Sequence, residues 1–239
     1  MGALMLKIIC FKWRPQFYYR SKFDGESVNI LRNMVRRNLK IPHEFICITD
    51  DATGISTDIK TIPLWESPVL GFGGIQKPNC YARIKAFSKE MASVIGDRFC
   101  WLDLDCVITG DITSLLSGDE TFRIWEATNP KNFYNGSMVL MDAGARQRVW
   151  QDFDPNTSPQ AANNAGFIGS DQAWICHKLG NGEALFTRED GVFTYREVRN
   201  NYKDNYLPPD SKIIFFTGKF NPWDIELQNR HSWIKRNYF

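Results

Sequence analysis

The sequence predicts an α/β fold in a single domain, built on a central, mostly parallel sheet that is flanked by helices. A strand, a helix and a second strand follow one another within the first fifty residues, which is the order of a parallel βα unit. The 239 residues suffice for one sizeable core and do not require a second domain. A hydrophobic content of 43% with 23% charged residues is typical of a soluble globular protein.

The first elements follow from short apolar runs and the residues that flank them. Residues 6–11 form an apolar run that predicts the first buried strand. Asp24 or Ser27 can cap a helix that reaches about residue 40. Two further strands are predicted at residues 45–49 and 59–64.

A helix over residues 81–94 is predicted to lead into a strand at residues 99–108. This strand is apolar except for Asp103 and Asp105. Alternate side chains of a strand lie on the same face, so the two carboxylates are expected to point the same way, with Leu104 turned back.

The pair formed by Asp103 and Asp105 predicts a site for a divalent metal ion. Two neighbouring carboxylates resist joint ionisation unless a cation lies beside them. Mg²⁺ and Mn²⁺ prefer oxygen ligands and keep positions open for substrate phosphates. We therefore expect Asp103 and Asp105 to bind a metal that holds a nucleotide diphosphate. The alternative is that both are solvated acids at the end of a strand.

The second half of the chain alternates strands, helices and loops. Strands are predicted at residues 122–125 and 138–141, the second of them entered from a loop at 135–137. Residues 143–153 are predicted to be helical. Residues 154–169 are rich in Pro, Asn, Ala and Gly, which predicts a long surface loop, a common location for function. A helix that begins at Ser170, Asp171 and Gln172 and a short apolar run at 212–216 complete the pattern.

The composition limits the classes of partner and compartment. The net charge of +2 gives no argument for nucleic acid, and the three histidines are too far apart to form a spaced ligand cluster. Six cysteines occur without a C-x-x-C pair, which favours free thiols in the cytoplasm. The start has neither a basic region nor a long apolar run, so no signal peptide or transmembrane segment is expected. The basic, aromatic residues 235–239 leave peripheral contact with a membrane as an alternative to simple packing.

Two loops are candidates for the border of a ligand site. Lys12-Trp13-Arg14-Pro15 follows the first strand and precedes several aromatic residues. Ligands of open α/β sheets bind at the carboxyl ends of strands, so this exit is a candidate base-stacking wall, with packing beneath a loop as the alternative. The glycine-rich segment 67–79 does not match a phosphate-binding loop, and a mobile loop or a structural turn fits it equally well.

Taken in order, these motifs resemble those of GT-A-fold glycosyltransferases of the family 8-like kind, which include small bacterial and phage-type members. The similar segments are residues 45–51, which end in Thr-Asp-Asp, residues 81–87, the Asp-x-Asp segment 101–108, Asn135-Gly136-Ser137, Gly169-Ser170-Asp171-Gln172, and a closing motif at 212–223. Together they cover almost the whole chain. Each motif alone is weak, but six in the right order are specific for the family.

The resemblance implies a metal-dependent glycosyltransferase with a mixed, mostly parallel sheet over residues 1–239. Residues 1–110 would form the nucleotide-binding half and residues 111–239 the sugar and acceptor half. Mn²⁺ or Mg²⁺ would be the cofactor. The donor would be a nucleotide-diphosphate sugar, most simply a UDP-sugar, and the acceptor a hydroxyl of a carbohydrate or a lipid-linked molecule.

The resemblance also implies roles for individual residues. Asp103 and Asp105 would be the metal ligands. The nucleotide and its diphosphate would be bound by Trp13, Asp50, Arg83, Lys85, Leu104 and Lys219. The sugar and acceptor pocket would be formed by Asn135, Gly136, Asp171 and Gln172. In catalysis, Asp171 and Gln172 would orient the sugar, and Lys85 would stabilise the negative charge on the departing diphosphate.

The closing motif departs from the family pattern at two positions. The family usually has a metal-ligating His near the glycine, and here the candidate positions hold Phe215, Phe216 and Thr217. Its usual Lys before Pro-Trp is Asn221, although Lys219 could replace it because an ammonium acts as a point charge. His231 is an alternative metal ligand. A catalytically silent protein that binds nucleotide-sugars is therefore the main alternative function.

Two other enzyme classes fit the sequence less well. A phosphatase of the haloacid dehalogenase type also has a strand that ends in Asp-x-Asp, but a Thr usually follows two residues after the second Asp, where this chain has Val107. A sugar-nucleotide pyrophosphorylase would have a glycine-rich basic loop directly after the first strand, which Lys12-Trp13-Arg14-Pro15 is not.

Overall fold

The computed structural model describes residues 5–14, 23–69, 78–202 and 206–239. Most of the predicted aromatic wall and the glycines of the segment 70–77 lie outside the described residues.

The described residues form ten β-strands. In chain order they are β1 (Leu6–Lys12), β2 (His43–Thr49), β3 (Lys60–Pro63), β4 (Arg98–Leu102), β5 (Cys106–Ile108), β6 (Phe122–Glu126), β7 (Tyr134–Asp142), β8 (Ala184–Phe186), β9 (Val192–Thr194) and β10 (Ile213–Phe215). Strands β1, β2, β3 and β6 lie where the apolar runs predict them, with ends that differ by a residue or two.

Seven strands form one mixed sheet in the order β3-β2-β1-β4-β7-β6-β8. The neighbours β3, β2, β1 and β4 are parallel, as are β6 and β8. Strand β7 runs antiparallel to both β4 and β6. The prediction of an α/β fold with a mixed, mostly parallel sheet is therefore confirmed.

A second, three-stranded sheet has the order β5-β10-β9. Strand β10 pairs antiparallel with β5 and parallel with β9. This pairing joins the segment after the Asp-x-Asp motif to the closing motif, which lie about a hundred residues apart in sequence.

Nine α-helices and one 3₁₀ helix are present in the described part of the chain. The α-helices are α1 (Gly25–Asn38), α2 (Met91–Val94), α3 (Thr113–Leu116), α4 (Arg148–Gln151), α5 (Ser158–Asn164), α6 (Asp171–Leu179), α7 (Tyr195–Asn201), α8 (Ile225–Arg230) and α9 (Ser232–Asn237), and the 3₁₀ helix is Cys80–Phe87. Among them, none is long and apolar enough to cross a membrane. Asp24 is the N-cap of α1 and forms a capping box with Ser27, so both predicted capping residues take part.

The large sheet separates two hydrophobic clusters, one on each face. Along β1, Ile8 and Cys10 belong to the cluster that also contains α1 and the small sheet. Ile9 and Phe11 belong to the cluster on the other face, which contains the 3₁₀ helix and α6. Because side chains of a strand alternate between the two faces, a strand with both faces covered must be apolar on both, and the central residues 8–11 of β1 are all apolar.

The predicted helix over residues 81–94 is wrong in type and continuity. The chain forms the 3₁₀ helix, then leaves helical geometry at Ser88, whose backbone is extended, and turns briefly into α2. Asn79 starts the 3₁₀ helix by accepting a hydrogen bond from the Tyr81 backbone. The apolar spacing that suggested a long α-helix instead buries Ile84, Phe87 and Met91 through two shorter turns.

The predicted strand over residues 99–108 is also two elements. Strand β4 ends at Leu102 and belongs to the large sheet, whereas β5 begins at Cys106 and belongs to the small one. Asp103, Leu104 and Asp105 form the bend between them, so strand alternation does not determine where their side chains point.

Three further predictions about the second half of the chain are corrected. Residues 135–137 lie inside β7 because that strand pairs with β6 as far as Tyr134, beyond a register shift at Ile124 and Trp125. Of the predicted helix at 143–153, only Arg148–Gln151 is α-helical. The predicted surface loop 154–169 contains α5, which has Pro159 in its first turn, a position that favours helix initiation.

Candidate functional site

The candidate site lies where the parallel strands of the large sheet end. Strands β1, β2 and β4 are parallel neighbours, so their carboxyl ends meet at one edge of the sheet. Lys12 and Thr49 are the last residues of β1 and β2, and Asp103 directly follows β4. The fold thus brings the first aspartate of the Asp-x-Asp motif to the edge where ligands of such sheets bind.

Asp103 is held by an arginine from the 3₁₀ helix. Arg83 Nη1 donates to Asp103 Oδ1 at 2.6 Å, and the Asp103 side chain is 30% exposed. The backbone N–H of Asp103 donates to the carbonyl of Ser137 on β7 at 2.9 Å. Burial raises the pKa of Asp103 above its ordinary value, although Arg83 and Ser137 act in the opposite direction.

Arg83 also contacts a second carboxylate. Its Nε lies 2.7 Å from Asp171 Oδ2, and its Nη1 donates to the carbonyl of Gly136 at 3.3 Å. The Arg83 side chain is 9% exposed and that of Asp171 only 2%. Burial alone would lower the pKa of Arg83, but Asp103 and Asp171 outweigh burial and raise that pKa well above its usual value. A buried guanidinium therefore bridges two acids that lie 68 residues apart in sequence.

Asp171 is the first residue of α6 and is oriented by its neighbour. Ser170 Oγ donates to Asp171 Oδ1 at 3.0 Å, while Oδ2 contacts Arg83. Asp171 does not cap this helix, because the N-cap position is Ser170 and α6 has no side-chain cap bond. The charge of Asp171 is directed into the site.

Gly136 faces the same group of side chains. A methyl group added at Gly136 would lie 3.5 Å from Asp171 Oδ2, 3.7 Å from Arg83 Nη2 and 3.7 Å from Gln172 Cβ. Three of the predicted sugar-binding residues, Gly136, Asp171 and Gln172, are therefore neighbours. The fourth, Asn135, turns its side chain to its own strand, where Oδ1 accepts from the Ser137 backbone at 2.9 Å.

Asp105 lies against the closing motif. The Phe216 backbone N–H donates to the Asp105 carbonyl at 2.8 Å, which continues the antiparallel pairing of β5 and β10. Leu104 is buried in the hydrophobic core, so a contact between this residue and a nucleotide would have to come from its backbone. Asn221, at the position of the family's lysine, donates its backbone N–H to Asp224 at 2.9 Å.

The donor set fits a metal that is bound together with a diphosphate. Within the four described ranges, no group of three or more His, Cys, Asp or Glu side chains is arranged to hold a metal ion. Asp103 and Asp105 supply two carboxylates, and an Mg²⁺-like ion is commonly bound by one or two carboxylates together with substrate phosphates and water. The alternative ligand His231 is 2% exposed, and its Nε2 is 2.9 Å from the hydroxyl of Tyr195.

The predicted base-binding residues lie at the ends of β1 and β2. The Arg14 backbone N–H donates to Asp50 Oδ1 at 2.9 Å, which ties the exit of β1 to that of β2. Trp13 is half-buried and packs against the cluster that contains Phe11. The Asp50 side chain thus ties the residue after Trp13 to the end of β2.

Lys12 lies at this edge and is buried, which the sequence did not predict. Its side chain is 2% exposed, and its Nζ donates to the Asp51 carbonyl and lies 3.5 Å from Asp51 Oδ2. A lysine at the end of an apolar strand was the available signal, because a buried ammonium needs a carbonyl or carboxylate partner.

The two predicted diphosphate lysines are placed differently. Lys85 is half-buried on the 3₁₀ helix, with its Nζ 5.8 Å from the centre of the Trp65 ring. Lys219 is exposed after β10, with its Nζ 5.4 Å from the centre of the Phe220 ring. Both are cations held by aromatic contacts rather than by carboxylates in the contacts described.

Comparison with known proteins identifies the fold. No family model and no curated protein matches the sequence. The galactosyltransferase LgtC, solved with donor and acceptor sugar analogs, aligns over 98% of this chain and 96% of its own, with a TM-score of 0.59 and 12% identity. The apo form of the glycosyltransferase GlyE from Streptococcus pneumoniae TIGR4 aligns over 93% of this chain and 56% of its own, with a TM-score of 0.57 and 11% identity.

The bifunctional glycosyltransferase WbbM gives a similar result, with a TM-score of 0.55 and 11% identity over 98% of this chain and 50% of its own. This chain thus spans about half the length of GlyE and WbbM and nearly all of LgtC. At these identities the similarity establishes the GT-A glycosyltransferase fold, which the sequence motifs predicted.

Proposed function

We propose that the protein is a metal-dependent glycosyltransferase that moves a sugar from a nucleotide-diphosphate donor, most simply a UDP-sugar, to an acceptor hydroxyl. One observation carries the proposal: the first aspartate of an Asp-x-Asp motif lies at the carboxyl edge of a GT-A sheet, joined through Arg83 to Asp171 beside Gly136. Metal-binding and sugar-binding residues of the predicted site are thereby neighbours in the fold.

Asp103 and Asp105 would hold Mn²⁺ or Mg²⁺ together with the donor diphosphate. When bound, such an ion supplies Lewis-acid stabilisation of the leaving diphosphate. Asp103 would offer a carboxylate that Arg83 holds through Oδ1, and Asp105 would offer a carboxylate on a residue whose backbone carbonyl is hydrogen-bonded to Phe216.

The chain's own cations and polar groups perform the remaining tasks. Lys85 and Lys219 stabilise the charge that develops on the diphosphate, which favours the transition state over the intact donor. Trp13 and Asp50 bind the nucleotide at the carboxyl ends of β1 and β2. Asp171 and Gln172 hold the sugar in the space in front of Gly136, and Asn135 lies beside them on β7.

The acceptor is a hydroxyl of a carbohydrate or a lipid-linked molecule, and we place the reaction in the cytoplasm. All six cysteines are free, and five of them are buried, which suits a reducing compartment.

A catalytically silent binder of nucleotide-sugars is the second candidate. The observation that favours it is the two-carboxylate donor set, which lacks the family's histidine. The phosphatase alternative has less support, because Val107, at the position of its usual threonine, is fully buried in β5.

A thermal-shift panel of nucleotide-sugars with and without Mn²⁺ tests the proposal. We expect a UDP-sugar to raise the melting temperature only when Mn²⁺ is present, and Asp105→Asn to abolish that shift. Asp119→Asn, at an exposed position, is the matched control. Metal-dependent stabilisation followed by slow release of UDP would establish the transferase class, whereas stabilisation without turnover would favour the silent binder. If the protein shows neither binding nor turnover of any nucleotide-sugar, both candidate functions are refuted.

A further inference from the structure

Arg83 occupies an unexpected position for a diphosphate ligand. Its guanidinium is almost completely buried and already contacts Asp103, Asp171 and the Gly136 carbonyl. Arginine keeps its charge at any ordinary pH and binds carboxylates through a planar fork. Two carboxylates with separate tasks in the proposed function therefore share one fixed positive charge.

We propose that Arg83 is a positioning residue that couples the metal carboxylate Asp103 to the sugar carboxylate Asp171, and that it does not bind the diphosphate. This inference rests on the proposed function of the site. Its new content is an energetic link: what happens at Asp171 changes the affinity of Asp103 for a divalent cation.

The burial of Asp171 argues against a move of Arg83 to the diphosphate. The Asp171 side chain is 2% exposed, and Arg83 is its ion-pair partner in the structure. Withdrawal of the guanidinium would leave a buried carboxylate without its counter-charge, which is strongly unfavourable. A half-buried lysine, Lys85, lies two residues further along the same 3₁₀ helix and is more accessible to a phosphate than Arg83.

Arg83 also opposes metal binding at Asp103. Its Nη1 donates to Asp103 Oδ1 at 2.6 Å, and its charge has the same sign as the ion that this carboxylate would bind. Asp171 moderates this effect because it draws part of the guanidinium's interaction to itself through Nε. Neutralising Asp171 should concentrate the guanidinium on Asp103 and weaken metal binding.

The inference predicts that two substitutions change the affinity for Mn²⁺ in opposite directions. In Mn²⁺ titrations at a fixed concentration of UDP, followed by the electron paramagnetic resonance of free Mn²⁺, we expect Arg83→Gln to tighten Mn²⁺ binding about fivefold or more. Asp171→Asn should weaken it by a similar factor. If Arg83 were instead a diphosphate ligand, Arg83→Gln would weaken UDP binding at saturating Mn²⁺, and that result would overturn the inference.

A double-mutant cycle separates coupling through Arg83 from a direct electrostatic effect of the Asp171 charge on the metal ion. If the link passes through Arg83, Asp171→Asn should lose most of its effect on Mn²⁺ affinity in the Arg83→Gln background. Additive effects of the two substitutions would contradict the coupling. The conservative Arg83→Lys keeps the positive charge but not the planar fork of the guanidinium. This variant should therefore fold and retain the Mn²⁺ affinity to within about twofold. It should nevertheless lose the coupling to Asp171.

Arg98 provides the matched control. It begins β4, whereas Asp103 follows the end of that strand, about 16 Å away. Like Arg83, it pairs with an aspartate, Asp142 at 2.7 Å, and donates to backbone carbonyls. Arg98→Gln should reduce thermal stability and leave Mn²⁺ affinity unchanged. Absence of any Mn²⁺ binding by the unsubstituted protein would refute the proposed function itself, whereas normal binding with an unchanged Arg83→Gln variant would refute only this inference.

Discussion

Trp101 and Gly136 are joined by a buried hydrogen bond: the indole Nε1 donates to the Gly136 carbonyl at 2.7 Å. Arg83 reaches the same oxygen at 3.3 Å. One carbonyl of β7 therefore connects the core of the sheet to the ion pairs of the candidate site.

Trp101→Phe should lower both stability and donor binding. The substitution removes a buried hydrogen bond and leaves a small cavity, and we expect a loss of about 1–3 kcal/mol in the free energy of unfolding. The Gly136 carbonyl would keep only its longer bond to Arg83. Urea unfolding and UDP-sugar thermal shifts measure the two effects.

Trp174→Phe is the control for this change, because Trp174 Nε1 makes a similar buried bond to the Val149 carbonyl at 2.8 Å. It should destabilise the protein comparably without a change in donor affinity. Equal losses of donor binding in both variants would contradict a specific role for the Trp101 bond.

Gly136→Ala should separate folding from sugar binding. Its added methyl group would make only ordinary contacts, at 3.5 Å or more, so the melting temperature should change little. The methyl group would occupy the proposed sugar position, and turnover with a UDP-sugar should fall at least about tenfold, since a misplaced substrate loses its productive geometry. Product release by a coupled UDP assay measures this effect.

Gly169→Ala is a contrasting variant. Gly169 has φ of +105°, and its added methyl group would lie 2.8 Å from Gln172 Nε2. Both strain and displacement of Gln172 should follow, so stability and turnover should decline together. Unchanged turnover in Gly136→Ala would place the sugar elsewhere.

Lys85→Ala should reduce turnover by about a hundredfold or more, because a preorganised cation acts mainly on the charge of the transition state. The value of kcat should fall more than the KM for donor rises. Lys89→Ala, an exposed lysine just beyond the 3₁₀ helix, should leave both constants unchanged. Matching effects of the two substitutions would remove Lys85 from the site.

Tyr195→Phe tests the structural role of His231. The Tyr195 hydroxyl is 2.9 Å from His231 Nε2 in a buried position, and its ring stacks on Phe216 at 4.7 Å. We expect a loss of about 1–3 kcal/mol in the free energy of unfolding, with unchanged Mn²⁺ affinity. A marked decrease in Mn²⁺ affinity with intact stability would restore His231 as a candidate ligand.

Asp24→Ala should destabilise the protein in a pH-dependent way. Burial is the largest single effect on Asp24 and opposes its ionisation, but the hydrogen bonds from Ser27 and the Asp24 backbone together outweigh burial and lower the pKa of Asp24 below the usual 3.8. Its contribution to stability is therefore complete above that usual pKa and is lost as the pH falls through the lowered one. Urea unfolding should show a loss of about 1 kcal/mol at pH 7 and a smaller one near pH 3. The exposed Asp119→Ala should show no such difference.

The sequence predicted those elements whose signals are local. Strand β1 is apolar on both faces, and α1 begins at a capping box and carries an apolar stripe, so each could be placed from neighbouring residues alone. The start of α6 at Asp171 was predicted for the same reason.

The errors arose where distant segments decide the local structure. The bend between β4 and β5 exists because Cys106–Ile108 pairs with β10 in the small sheet. Residues 135–137 became part of β7 through pairing with β6. Neither partner strand could be identified from the segment itself.

In the candidate site, too, the features with local signals were predicted and those that depend on distant segments were not. Asp103, Asp171 and Gly136 could be named from motifs, and Arg83 could be named as a basic residue of the helix. Arg83 lies between Asp103 and Asp171 because of the way the 3₁₀ helix and α6 pack, and no short motif encodes that packing. The burial of Lys12 was not predicted because a lysine at a strand end is more often solvated.

The two aspartates of the motif adjoin different sheets. Asp103 follows the last residue of β4, Asp105 precedes the first residue of β5, and Leu104 between them is anchored in the core. An ion bound by both aspartates would restrict the motion of one sheet relative to the other. Binding of the ion should therefore slow amide hydrogen exchange in β9 and β10, strands that supply none of the proposed ligands. The exchange rate of the small sheet would then report whether the metal and the donor are bound.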